Sequence, residues 1–92
     1  MKYSSQEIRI AFGTVLSGVR KYNKITKCKA HDVHGLCASS LVNWERGSVA
    51  ISFDNFFRVC DAFNIKPSRM LSLVEYELNR RKHDDKEADA DS

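Results

Sequence analysis

The spacing of the apolar residues is the feature that most constrains the fold of this chain. They recur at steps of three and four, which places them on one face of an α-helix rather than one face of a strand. The first such series is Ile8, Phe12, Val15, Leu16, Val19 and Tyr22. No stretch alternates apolar and polar residues as a half-buried strand does, so the sequence predicts an all-α protein.

Capping residues and helix breakers divide this pattern into five predicted helices. Ser4, Thr26 and Ser52 are suited to N-caps because a side-chain oxygen can accept from an unpaired helix N–H, and Gly35 and Gly47 can end helices in the left-handed conformation. The predicted helices run from Ser4 to Tyr22, Thr26 to His34, Cys37 or Ala38 to Gly47, Ser52 to Asn64, and Pro67 to about Lys82.

The fourth and fifth helices carry much of the remaining apolar surface. On the fourth, Phe53, Phe56, Phe57, Cys60 and Phe63 are predicted to form one core stripe. On the fifth, Leu71, Val74 and Leu78 form one stripe, with Met70, Leu73 and Tyr76 on neighbouring faces. This is more apolar surface than one core contact needs, so the sequence predicts a two-fold homodimer through the fifth helix.

Charge divides the 92 residues into a basic domain and an acidic tail. Residues 1–82 hold 14 Lys and Arg against 7 Asp and Glu, a balance of +7, whereas residues 83–92 hold one lysine against five acids, a balance of −4. We expect residues 1–82 to form one domain and residues 83–92 to be disordered. The basic domain indicates a polyanionic partner, with surface lysines kept for solubility as the alternative.

Localisation follows from what the sequence lacks. No apolar run approaches the roughly 18 residues of a membrane span, and the N-terminus does not have the pattern of a signal peptide. We therefore expect a cytoplasmic protein with no membrane partner. Cys28, Cys37 and Cys60 are an odd number of cysteines and are expected to be reduced thiols.

The segment GLCASSLVNWERG, residues 35–47, carries the most specific pattern. Two short helices joined at a glycine are a helix-turn-helix candidate. Together with FGTVLSGVRKYNKIT before it and SFDNFFRVCDAFNIKPSRML after it, the segment resembles the lambda-repressor-like (Cro/XRE-type) helix-turn-helix domains from about Phe12 to Leu71. The family markers are Arg20, Gly35, Trp44, Glu45 and Gly47. The resemblance implies a five-helix DNA-binding domain, here with an extended C-terminal helix.

Four residues depart from the family pattern. Lys27 replaces a common glutamine, Cys37 a Ser or Thr cap, and Ile51 a frequent proline. His31 stands where alanine is usual, so we expect either a wider crossing of the second and third helices or a rotation of the imidazole toward solvent.

The third helix is expected to present the face with its short side chains to the major groove of DNA, while Leu41 and Trp44 point to the core. The resemblance implies base contacts at Ala38, Ser39 and Asn43. The amide of Asn43 suits a bidentate contact with adenine, and Val42, with Ala38, suits a thymine methyl group.

Phosphate contacts are expected at the rim of this face, from Lys27, Lys29 and Arg46. Ser39 and Ser40 can each bond to bases or to phosphate, and the sequence leaves that choice open. Arg20 and Glu45 are expected to pair, as the corresponding residues do in the family, and to tie the first helix to the third.

Cys28, His31, His34 and Cys37 are zinc-ligand types at equal steps of three. That spacing rotates around a helix and crosses the glycine turn, so we predict no metal site and no cofactor. Catalytic arrangements such as a P-loop or paired carboxylates are missing too, and the chain is predicted not to be an enzyme.

These observations predict a sequence-specific, double-stranded-DNA-binding transcriptional regulator, a dimeric repressor of a phage, plasmid or other mobile element that binds a two-fold symmetric operator. The alternative is an antitoxin-type protein that binds a toxin partner through its fifth helix and tail and autoregulates through DNA binding. A controller protein of a restriction-modification system shares the fold and size and stays open as a third reading.

Overall fold

The computed structural model describes the backbone of residues 2–91 and the side chains of residues 2–82. Five helices, and no strand, form this part of the chain: α1 (Ser5–Tyr22), α2 (Lys27–His34), α3 (Ala38–Arg46), α4 (Phe53–Ala62) and α5 (Pro67–Asp91). The all-α, five-helix prediction is therefore confirmed.

The predicted N-caps begin their helices. Side-chain oxygens of Ser4, Thr26 and Ser52 accept from the backbone N–H three residues on, at 3.1, 3.0 and 3.3 Å. Each such bond satisfies one of the N–H groups that the first turn of a helix leaves unpaired. Local side-chain chemistry, readable from the sequence, thus fixes three of the five helix starts.

The C-terminal end of α5 differs from the prediction. The helix continues past Lys82 to Asp91, and no glycine or proline follows Lys82 to stop it. The side chains of residues 83–92, the predicted acidic tail, lie outside those that the structure describes, so the disorder expected there stays a prediction.

Helix α1 is the central element and packs against both α3 and α5, while α2 packs on α3 and α4 on α5. The most deeply buried large side chains come from α1, α3, α4, α5 and the turn after α4: Leu16, Leu41, Val59, Cys60, Phe63 and Met70. Outside the helices, Leu36 and Phe63 complete this core. The basic surface of α2 and α3 therefore rests on one continuous apolar interior.

The core stripe predicted for α4 is wrong for two of its five residues. Phe56, Cys60 and Phe63 are buried, but Phe53 and Phe57 are 78% and 56% exposed. The buried side chains follow one row around the helix, and Phe53 and Phe57 form a second row, four residues apart, that no described element covers. On α5, Met70, Val74 and Leu78 are used by the chain's own core, whereas Leu71 and Tyr76 are exposed.

Helices α1 and α3 touch backbone to backbone at Gly13. A Cβ atom at this position would lie 2.5 Å from the carbonyl oxygen of Glu45 and 2.6 Å from that of Trp44. Backbone atoms cannot turn aside as a flexible side chain can, so only glycine permits this crossing distance. The position of α3 along α1 is therefore set by the absence of a side chain.

We predict that Gly13→Ala lowers the free energy of unfolding by about 1–3 kcal/mol, because the added methyl group must push α1 and α3 apart. The matched control is Gly18→Ala, on the same helix, where a Cβ would meet no atom within 4 Å. That control should raise stability by about 0.5–1 kcal/mol, since alanine loses less backbone entropy in a helix. Urea unfolding measures both, and a stable Gly13→Ala variant would contradict the close crossing.

Candidate nucleic-acid interface

The turn between α2 and α3 is closed by backbone hydrogen bonds. Gly35, with φ of 69°, donates its N–H to His31 O at 3.0 Å, and the N–H of Leu36 donates to Ala30 O at 3.2 Å. The buried side chains of Ala30 and Leu36 lie beneath this turn. The two short helices thus form one unit whose angle is fixed by a left-handed residue and a small buried contact.

Of the two arrangements expected for His31, the structure shows the one in which the imidazole is turned toward solvent. The residue is exposed, and its Nδ1 lies 3.0 Å from the carbonyl oxygen of Leu36. Ala30, one residue earlier, is fully buried between the helices. The imidazole therefore faces solvent and bonds to the backbone of the turn.

A buried ion pair holds α3 from behind, as predicted. Arg20 Nε and Nη2 donate to the two carboxylate oxygens of Glu45 at 2.7 and 3.0 Å, and Arg20 Nη1 donates to Ile25 O at 2.8 Å. Both charged side chains are less than a tenth exposed. The bidentate geometry satisfies the guanidinium and the carboxylate together and fixes their relative orientation.

The inner face of α3 is also anchored by apolar packing, since Leu41 and Trp44 are buried as predicted. Arg9 Nε donates to Gly47 O at 3.3 Å where the helix ends. Because these contacts occupy the inner face, the opposite face of α3 must point to solvent.

The side chains that point outward are the ones expected to contact bases. Ala38 and Ser39 are exposed at the start of α3, and Val42 and Asn43 follow half-buried on the same face. The side-chain amide of Asn43 has no hydrogen-bond partner among the described residues, while its backbone carbonyl accepts from Ser48. An amide held on a fixed helix with its donor and acceptor unused is suited to a base edge.

The expected phosphate ligands surround this face. Lys27 and Lys29 are exposed in the first turn of α2, and Arg46 is exposed in the last turn of α3. Ser40, in the first turn of α3, is half-buried. Cations together with the N-terminal end of α2 give the rim a positive field.

Cys37 has an electrostatic environment that the sequence did not predict. It is the N-cap residue of α3, is exposed, and makes no capping hydrogen bond; its Sγ lies 3.2 Å from Ser39 Oγ. Hydrogen bonds from Ser39 and Ser40 stabilise the thiolate and lower the pKa of Cys37 to about 6. The two serines lie two and three residues after Cys37, and the start of α3 brings them to the sulfur.

The other two thiols have the opposite tendency. Cys28 lies 3.4 Å from a carboxylate oxygen of Asp32, and this hydrogen bond, with the negative charge of Asp32, raises the pKa of Cys28. Burial raises the pKa of Cys60 to about 11. One reactive thiolate and two protonated thiols are therefore expected near neutral pH.

Two further properties concern metals and membranes. Within residues 2–82, no three His, Cys, Asp or Glu side chains are grouped so that they can hold a metal ion, and Cys28, His31, His34 and Cys37 do not converge. None of the helices in the described part of the chain combines the length and apolarity needed to cross a membrane.

Comparison with known proteins identifies the fold. The sequence matches no protein-family model and no curated protein. The structure is similar to a crystal structure of the clp gene regulator ClgR from Corynebacterium glutamicum, with a TM-score of 0.83 and 19% identity over 90% of this chain and 88% of that one. The chain has the lambda-repressor-like helix-turn-helix fold.

A second solved structure has the same arrangement over a shorter range. It is the restriction-modification controller protein C.AhdI from Aeromonas hydrophila, with a TM-score of 0.62 and 24% identity over 66% of this chain and 92% of that one. In the lambda-repressor-like fold of the present chain, α2 and α3 are the helix-turn-helix unit and α3 is its outward-facing second helix.

The thiol chemistry of this face generates a prediction. Brief iodoacetamide treatment near neutral pH should label Cys37 first, Cys28 more slowly, and Cys60 only after unfolding, because the thiolate is the nucleophile. Below pH 6, labelling of Cys37 should slow about tenfold per pH unit as the thiolate is protonated. Mass spectrometry of peptides measures each rate.

Ser39→Ala is the control for this prediction, since it removes the nearest hydrogen bond to Cys37 and should shift the labelling profile to higher pH. Equal labelling rates for Cys28 and Cys37 near neutral pH would contradict the assignment.

Proposed function

We propose that this protein is a sequence-specific, double-stranded-DNA-binding transcriptional regulator. The observation that carries the proposal is the arrangement of α3: the Arg20–Glu45 pair and the buried Leu41 and Trp44 hold its inner face, and its outer face presents small side chains and an unpaired amide. Short side chains let a helix backbone approach base edges in a groove about 12 Å wide.

Residues of two kinds carry recognition in this proposal. Ala38, Ser39, Val42 and Asn43 contact bases in the major groove, with the amide of Asn43 on adenine and the methyl groups of Ala38 and Val42 on thymine. Phosphates are contacted by Lys27, Lys29, Ser40 and Arg46, which fix the register of the protein on the duplex. The accessibility of these residues supports this division: Ala38, Ser39 and the three cations are exposed, and the others are half-buried.

The regulatory role is that of a homodimeric repressor from a phage, plasmid or other mobile element, acting in the cytoplasm without an enzymatic activity. The lambda-repressor-like fold and its likeness to the gene regulator ClgR and the controller protein C.AhdI support a role in transcription. Occupation of an operator is sufficient for repression, whereas activation requires a further contact with the transcription machinery. A two-fold symmetric operator follows from a two-fold dimer, with half-sites about 34 Å apart.

Selection of bound duplexes from a random DNA pool tests the proposal directly. A two-fold symmetric consensus is the expected result. Recovery of no enriched sequence from a folded, basic protein would overturn sequence-specific binding.

Asn43→Ala tests base recognition. The variant should lose on the order of 1–3 kcal/mol on the selected duplex because a bidentate base contact is removed, while its affinity for random duplexes should hardly change. Fluorescence anisotropy on both duplexes measures the ratio, and thermal unfolding checks that the variant is folded. An unchanged ratio would show that Asn43 reads no base.

Lys27→Ala and Arg46→Ala test the phosphate contacts. Each should weaken binding to selected and random duplexes alike and lower the slope of log K against log salt by about one unit, since one fewer counterion is released. Lys66→Ala, which removes an exposed cation from the loop before α5, is the matched control and should leave the slope unchanged. Equal slopes for all three variants would contradict the assigned rim.

A further inference from the structure

Helix α4 presents an aromatic row to solvent. Phe53 and Phe57 are four residues apart on one face, and both rings are more than half exposed. The ring of Phe57 lies edge-on against that of Phe56, with centroids 5.7 Å apart, so it is held in place at the surface. Two neighbouring exposed phenylalanines on one helix face are characteristic of a surface that another molecule covers.

An apolar groove lies beside this row. Its volume is about 270 Å³, and its walls include Phe12, Ile51, Phe53 and Leu71. Leu71 and Val49, which also line the groove, are each at least half exposed. We refer to Val49, Phe53, Phe57 and Leu71 as the α4–α5 patch. This patch therefore combines projecting rings with a hollow of the kind that receives them.

Charges along α4 indicate what covers the patch. Asp54 and Arg58 are exposed, lie four residues apart beside the aromatic row, and have no ion-pair partner among the described residues. If two α4 helices pack antiparallel, Asp54 of one copy approaches Arg58 of the other. Phe53 of one copy likewise approaches Phe57 of the other, since the centres of the two pairings differ by only one residue along the helix. A two-fold axis makes each of these contacts twice.

A parallel two-fold pair would instead place the Asp54 and Arg58 side of each helix at opposite edges of the interface, so the opposite charges of the two copies would not meet. The patch is thus complementary to itself in one orientation, both in shape and in charge. Self-complementarity of this kind is the requirement of an isologous interface and favours a second copy over an unrelated protein.

We infer that the α4–α5 patch is the dimer interface, with the two α4 helices antiparallel and Phe53 and Phe57 at its centre. The inference rests on the dimer of the proposed function, but it places the dimer interface on α4 and not on the predicted α5 stripe. Val74 and Leu78 of that stripe are buried in the chain's own core. At about 200 Å² for a fully exposed ring, the two phenylalanines supply about a third of the roughly 800 Å² that each partner buries in a stable complex.

The location of the patch connects dimerisation to DNA binding. Val49, Ala50 and Ile51 of the groove belong to the loop that joins α3 to α4. This loop follows α3 directly in the chain. Because the second copy contacts the loop, the interface sets the distance between the two α3 helices.

Sedimentation velocity of the full chain, from low to high micromolar concentration, is the first test. Phe53→Glu and Phe57→Glu should each raise the dimer dissociation constant at least about 100-fold, since each change removes two central aromatic anchors per dimer. Tyr76→Glu, which alters another exposed aromatic residue outside the patch, is the matched control and should leave the constant unchanged. Because both phenylalanines are exposed, circular dichroism should show folded variants.

Charge reversal tests the orientation. Asp54→Arg alone and Arg58→Asp alone should each weaken the homodimer about tenfold, because each creates two like-charge contacts. Mixing these two variants should restore dimers as heterodimers, and the double variant should recover the parent affinity. Failure of both the mixture and the double variant to recover would overturn the antiparallel arrangement.

Three other results would overturn the interface itself. The parent protein could stay monomeric with and without operator, or the Phe57→Glu variant could stay dimeric. In the third, a different protein binds the monomeric chain and no longer binds the Phe57→Glu variant.

Binding of the monomeric variant to a single half-site separates this inference from the proposed function. Retained half-site binding leaves DNA recognition intact, whereas its loss in the parent protein as well rejects DNA recognition.

Discussion

The bidentate pair between Arg20 and Glu45 is the interaction on which the arrangement of the molecule depends. It joins the end of α1 to the last turn of α3, and the third donor of Arg20 binds the chain at Ile25 just before α2. A buried pair of this kind contributes less to net stability than its Coulomb energy suggests, because both groups lose their hydration. Its contribution is directional, because a guanidinium and a carboxylate that share two hydrogen bonds permit one relative orientation. The pair therefore fixes how α1, α3 and the start of α2 are oriented to one another.

Much of this arrangement is readable in the sequence, because the residues concerned act locally. Ser4, Thr26 and Ser52 cap the next turn of their own helices, and Gly35 and Gly47 take the left-handed conformation that ends theirs. The Arg20–Glu45 pair was expected only from the family resemblance, since nothing in their spacing brings two residues 25 apart into contact. The division of α3 into a buried row and an outward row follows from helical periodicity, but the proposed base contacts of individual residues in the outward row do not.

The core stripe predicted for α4 was wrong because two apolar rows on that helix compete for one contact with the core. Phe53 and Phe57 are as apolar and as regularly spaced as Phe56 and Phe63, so periodicity alone cannot separate the covered row from the uncovered one. That distinction depends on how closely α5 approaches α4, which is a property of the whole packing. The low pKa of Cys37 was missed for a similar reason, because it depends on hydroxyl groups that only the folded turn brings to the sulfur. Both features lie at surfaces, where sequence patterns constrain least.

The contact at Gly13 has a consequence for how the proposed DNA specificity could change. Since α3 is positioned by its carbonyl groups against the backbone of α1, its docking does not depend on the identity of any outward side chain. Residues 38, 39, 42 and 43 can therefore be exchanged in combination without shifting the frame that presents them. If this face binds DNA as proposed, a change of target sequence requires substitutions on one helix face only and leaves the contact between α1 and α3 in place.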